Sequence, residues 1–87
     1  MRFKVTFSPH AVRNYRNIRE DLKEGINKAI DEIGVSPFRG PNIKRLKGPL
    51  REYFRYRVGS HRIIYAVPAG TREVFVDYIQ DRKEAYK

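Results

Sequence analysis

The stretch Tyr53-Phe54-Arg55-Tyr56-Arg57-Val58-Gly59-Ser60-His61-Arg62-Ile63-Ile64-Tyr65 constrains this chain more than any other. Two strand-like runs flank Gly59-Ser60, a two-residue loop containing glycine. The segment therefore reads as a tight β-hairpin with strands at about 52–58 and 61–67. Alternation puts Arg55 and Arg57 on one face with Tyr53, and Phe54, Tyr56 and Val58 on the other. The second set suits the buried face. Arginine is costly to bury unpaired, so Arg62 is expected beside Arg55 and Arg57, with His61 pointing away or at the hairpin edge. Three guanidiniums on one face repel each other, yet each offers a planar fork of donors to phosphate oxygens. The alternative is a solvated face whose arginines pair with Asp77, Glu73 or Glu52.

Charge is concentrated around the hairpin. Lys44, Arg45, Lys47, Arg51, Arg55, Arg57 and Arg62 face one acid, Glu52, so this segment carries +6 of the chain's +9. Such a balance favours an anionic partner, nucleic acid or an acidic protein. With no cysteine, disulfides and thiolate chemistry are excluded. His10 and His61 lack carboxylates at ligand-like spacing, so no metal and no cofactor is expected. No apolar run approaches the roughly 18–20 residues of a membrane span, and the N-terminus lacks a signal-peptide core. A cytoplasmic chain without membrane association is expected.

The remaining sequence reads as a small α+β domain spanning 1–87, in the order β-α-α-β-β-β. Phe3, Val5 and Phe7 alternate with Arg2, Lys4 and Thr6, the pattern of a half-buried strand. Ser8-Pro9 stops the strand and starts a short helix with Val12, Tyr15 and Ile18 on one stripe. Leu22, Ile26, Ala29, Ile30 and Ile33 share the face of a second helix at about 20–33, with acids at its start and Gly34 as C-cap. Residues 34–50, rich in Gly and Pro, read as a long connection. Within it, Ile43 and Leu46 anchor a flap bearing Lys44, Arg45 and Lys47. Val74, Phe75, Val76, Tyr78 and Ile79 form a last, interior strand, with Tyr65 and Tyr78 expected in the core. His10 is expected to be structural or on the surface. An antiparallel-rich sheet with both helices on one face follows.

The chain resembles the RelE/ParE superfamily of toxin–antitoxin toxins. The resemblance runs over nearly the whole sequence. It rests on Lys44-Arg45-Leu46-Lys47-Gly48, Tyr53-x-Arg55-x-Arg57-Val58-Gly59, His61-Arg62-Ile63-Ile64-Tyr65 and the ending Asp81-Arg82-Lys83-Glu84-Ala85-Tyr86. His61 departs from it, since the family usually has tyrosine there. RelE-like members cleave mRNA in the ribosomal A site, whereas ParE-like members inhibit DNA gyrase by protein contact. Arg82 and Tyr86 match the RelE-like ending. The resemblance implies an endoribonuclease in which a ribose 2′-hydroxyl attacks its phosphodiester, leaving a 2′,3′-cyclic phosphate. Arg62, with Arg55 or Arg57, would stabilise the charged oxygens, Arg82 would serve the leaving oxygen, and Tyr86 would stack on a base. Lys44, Arg45, Lys47 and Arg51 would contact RNA backbone. Arg55 and Arg57 stand where the best-known branch has lysines, and arginine is a poor proton acceptor, so no general base is evident. The implied partners are the ribosome with its A-site mRNA, an acidic antitoxin, and operator DNA through the antitoxin complex. A small RNA-binding domain without toxicity is the remaining alternative.

Overall fold

The computed structural model describes residues 2–81. The alternating N-terminus forms β1 (Lys4–Phe7), and Ser8 then turns the chain into α1 (Pro9–Arg16). Ser8 is the N-cap: its Oγ accepts from the Ala11 N–H at 3.0 Å, and Pro9 occupies the first helical turn. The second helix, α2 (Glu20–Val35), starts with Glu20 and Asp21 near its unpaired N–H groups. It runs past Gly34, which was expected to end it. Gly34 instead lies buried where α2 meets the first strand. A Cβ there would sit 3.4 Å from Val5 Cγ2, and the Phe3 N–H donates to the Gly34 carbonyl at 2.7 Å.

The connection after α2 contains more structure than its composition suggests. It holds a short strand, β2 (Ile43–Arg45), and a single 3₁₀ turn over Gly48–Leu50. Three residues are too few to display alternation. The hairpin strands are β3 (Tyr53–Val58) and β4 (His61–Ala66), and the last strand is β5 (Glu73–Asp81). Gly59 has φ 55°, the left-handed value that a two-residue turn with glycine at its first position requires.

The five strands form one sheet in the order β1-β5-β4-β3-β2. Only the β1–β5 pairing is parallel, and the other three are antiparallel. Both helices cover one face. Ala11, Ile18, Ile26, Ala29 and Ile33 meet Tyr56, Ile63, Tyr65, Val74, Val76 and Ile79 there. Val12 and Leu22, counted on the apolar stripes, stay 37% and 38% exposed. No helix among the described residues is long and apolar enough to cross a membrane.

One irregularity in β5 decides which side chains reach the other face. Ile64 pairs with Tyr78, but Tyr65 pairs with Val76, so Asp77 is an extra residue, a β-bulge. The bulge lies where β1 stops, since Phe7 opposite Val76 is its last pair. Helix α1 takes over beyond that point. The Ser8 N–H donates to the Val76 carbonyl at 3.0 Å, the Ser8 hydroxyl donates to the Asp77 carbonyl, and Asn14 Oδ1 accepts from the Ile79 N–H at 3.0 Å. Helix α2 is tied to the sheet through Tyr56, whose hydroxyl donates to Glu32 Oε2 at 2.5 Å. Tyr65 donates from inside the core to the Pro37 carbonyl at 2.6 Å.

Burial pushes the Tyr56 and Tyr65 phenols up from their ordinary range, for Tyr56 with help from the Glu32 carboxylate. A raised folded-state value means that the neutral phenol is favoured by folding. That contribution is complete below about pH 10, where a free phenol titrates, and is lost as pH rises through the folded-state values. Stability to urea should therefore decline above about pH 10. Tyr65→Phe should flatten that decline while lowering stability at neutral pH by about 1–3 kcal/mol, because the Pro37 carbonyl is left unpaired. Ser8→Ala should lower urea stability by about 1–2 kcal/mol through loss of the cap and of the bond to the bulge.

Candidate nucleic-acid interface

The register of the sheet assigns each basic residue to a face. Cross-strand partners share a face, so Arg57, opposite Arg62, and Arg62, opposite Gln80, form one row. The next row is Lys44, Arg55, Ile64 and Tyr78, and the third is Tyr53, Ala66 and Phe75. Rows lie about 6.6–6.8 Å apart, two residues along a strand. All three rows lie on the face away from the helices. Arg55, Arg57 and Arg62 are therefore brought together, as the hairpin alternation predicts.

The electrostatics of this face are unbalanced. Like charges directly opposite each other destabilise a strand pair, yet Arg57 and Arg62 face each other. Asp77, Glu73 and Glu52 form no ion pair with the three arginines among the described residues. Arg55 is half-buried and donates Nη1 to the Asn42 carbonyl at 3.0 Å. The same carbonyl accepts the Arg57 N–H at 3.0 Å, fixing β3 beside the chain that enters β2. Burial, then Arg57 and Arg62, pull the Arg55 guanidinium below its ordinary range. An anion on this face would relieve that crowding.

The other candidate residues separate. Lys44 stands opposite Arg55 on the arginine face. Arg45 stands opposite Phe54 on the helix side, its guanidinium 5.7 Å from the Phe54 ring centre and its Nε donating to the Arg51 carbonyl at 2.9 Å. Lys47 and Arg51 flank the 3₁₀ turn, both exposed. Arg82 and Tyr86 lie outside the described residues. His61 is buried on the helix side. Its Nε2 is 3.7 Å from Asp81 Oδ2 and its Nδ1 is 3.4 Å from the Ser60 hydroxyl. It faces away from the arginines, as expected. No group of three or more metal-ligating side chains is clustered among the described residues.

Tyr78 corrects the sequence reading. It was expected in the core, but the bulge turns it onto the arginine face, half-buried. Burial and then Asp77 push its phenol up, Arg62 pulls it down and Tyr53 pushes it up. A raised phenol stays neutral at ordinary pH and makes a poor base. The signal was present in the sequence: the buried apolar residues run Val74, Val76, Ile79, where the spacing changes from two to three.

Comparison with known proteins places this geometry. The family model described as the ParE toxin of the type II toxin–antitoxin system, parDE, matches residues 5–86. The chain belongs to the ParE toxin family. No curated protein matches it significantly. Among solved structures, the RelBE2 toxin–antitoxin complex of Mycobacterium tuberculosis matches with TM-score 0.82 at 20% identity, covering 94% of this chain and 100% of the other. The E. coli toxin RelE, as a mutant in the free state, matches with TM-score 0.77 at 22% identity, covering 99% and 90%. A YoeB/ParE toxin from Agrobacterium tumefaciens matches with TM-score 0.76 at 23% identity, covering 90% and 96%. At these identities the likeness is one of fold. This ParE-family toxin shares the two-helix, five-stranded RelE-like architecture.

If the arginine row grips phosphates, binding must fall with salt through counterion release, with a log–log slope of about −0.7 per phosphate contact on single strands. We expect Arg57→Ala and Arg62→Ala each to reduce the slope for short single-stranded RNA by about 0.7. Arg19→Ala, at the start of α2 and paired with Asp21, should leave it unchanged. Fluorescence anisotropy across a salt series measures both.

Proposed function

We propose that this toxin is a ribosome-dependent endoribonuclease that cuts mRNA in the A site. The observation that supports the reading is the row of exposed Arg57 and half-buried Arg62, with Arg55 behind it, on a sheet face where none of the three has an ion-pair partner among the described residues. The reaction would be attack of a ribose 2′-hydroxyl on the adjacent phosphorus. The P–O5′ bond breaks, a 2′,3′-cyclic phosphate forms, and the proton lost by the 2′-hydroxyl passes to solvent while the leaving 5′-oxygen takes one up. Charge grows on the non-bridging oxygens, where Arg62 with Arg55 or Arg57 would donate. Arg82, directly after β5 in sequence, would serve the leaving 5′-oxygen, and Tyr86 would stack on a neighbouring base. Lys44 would extend the phosphate track, and Arg45, Lys47 and Arg51 would touch ribosomal RNA backbone. The three arginines offer no proton acceptor. The ribosome would therefore supply geometry, holding the RNA bent for in-line attack. Naked RNA should be cut slowly or not at all.

Several of the similar structures are toxin–antitoxin complexes, which supports an antitoxin partner for this chain. An acidic antitoxin would neutralise the basic face, and operator DNA would be bound through that complex. The setting is the cytoplasm. A second reading, inhibition of DNA gyrase by protein contact, is favoured by the match to the ParE family model. It needs no cleavage.

Induced expression separates the two. Translation arrest with codon-positioned mRNA cuts supports the nuclease, whereas a DNA-damage response with intact mRNA supports gyrase. On programmed ribosomes, Arg62→Ala should slow cleavage about 10²–10³-fold, the effect of removing one preorganised donor to a developing oxyanion. Full activity of an Arg62→Ala, Arg82→Ala double variant would sink the nuclease assignment.

A further inference from the structure

Beside its arginines the open face carries aromatic rings, which have no role in gripping phosphate. The bulge brings Tyr78 onto this face, one row from Arg62 and, two strands away, one row from Tyr53. His10, exposed in the first turn of α1, stacks on Tyr78 with ring centres 6.0 Å apart and planes inclined by 22°. We propose that His10 and Tyr78, flanked by Tyr53, form a nucleobase-stacking platform for single-stranded RNA whose phosphates lie on the arginine row. The proposal rests on reading that row as an RNA interface.

Core packing does not explain these rings. The core cluster and the side chains packed against it include none of His10, Tyr53 or Tyr78. Tyr53 and Tyr78 stand on the face away from the helices, where Ile64 is the buried residue between Arg55 and Tyr78, and His10 reaches Tyr78 from α1. Tyr78 is half-buried, while His10 is exposed, so the imidazole presents a free edge of the stack to solvent. The influence of Arg62 and Tyr53 on the Tyr78 phenol places all three within electrostatic reach of one another.

The layout suits a nucleotide. Tyr78 shares a row with Arg55 and lies one row, about 6.6–6.8 Å, from Arg62, so cations and a ring fall within the span of one nucleotide. Single-stranded RNA is bound in this manner: cations track the backbone while splayed bases stack on aromatic or histidine rings. The two functions have different signatures. Phosphate contacts set the salt dependence, and stacking sets the dependence on the presence of a base.

The test compares a short 2′-O-methyl oligoadenylate, which cannot be cut, with an abasic chain of the same length. Wild-type toxin should bind the oligoadenylate about tenfold more tightly, the scale of one stacked base. His10→Ala and Tyr78→Leu should abolish that difference without changing the salt slope. Tyr78→Phe, which keeps the ring, should retain it and so separate stacking from misfolding. Equal wild-type binding of both chains, or a preference that survives His10→Ala, would overturn the platform while leaving the arginine row intact. Failure to bind either chain would overturn the RNA reading of the whole face.

Discussion

The bulge at Asp77, held by Ser8, is the constraint on which this molecule's working face depends. Before it, Val74 and Val76 point into the core; after it, Ile79 does. The extra residue lets β5 bury all three while Tyr78 and Gln80 join the arginines. Without it, a strict two-residue period would send Ile79 outward and Tyr78 inward. The same junction meets a second requirement. A strand whose neighbour ends halfway has unpaired backbone along half of one edge. Ser8 and Asn14 of α1 bond to that edge, so the helix that covers the core also completes the sheet. Cap, bulge and strand end coincide within a few residues.

Much of this was legible from the residues. The hairpin, its glycine turn and the division of Tyr53–Val58 between two faces follow from alternation alone, because a strand's period leaves no intermediate choice. So did the separation of His61 from the arginines. Gly34 shows where local rules fail: a glycine near a helix end usually caps it in a left-handed conformation, but Gly34 stays helical and packs against Val5. β2 was hidden because its three residues, Ile43, Lys44 and Arg45, carry charges typical of a loop. Their pairing with β3 is a tertiary fact. Pairing also split Lys44 from Arg45, adjacent in sequence and on opposite faces in space.

The two faces of the sheet are stabilised in different currencies. The helix side relies on aliphatic contact and on a run of rings, Phe3, Phe38, Phe54 and Tyr65, at centre distances of 6.0, 5.7 and 5.6 Å. The open side gathers like charges that folding does not need. A surface that local physics opposes and the fold nevertheless maintains is a functional signal independent of any family match. It carries the argument for an anionic partner further than net charge does, since net charge has no address.

The Arg57–Arg62 pair also has a thermodynamic meaning for the free and bound toxin. Repulsion across β3 and β4 weakens the native state, and any anion that docks there removes it. By mass action, a ligand at a hundred times its dissociation constant adds about 2.7 kcal/mol to native stability. An occupied toxin is thus a more durable molecule than an empty one. An acidic partner that silences this protein would, by the same contacts, extend its lifetime against unfolding and proteolysis.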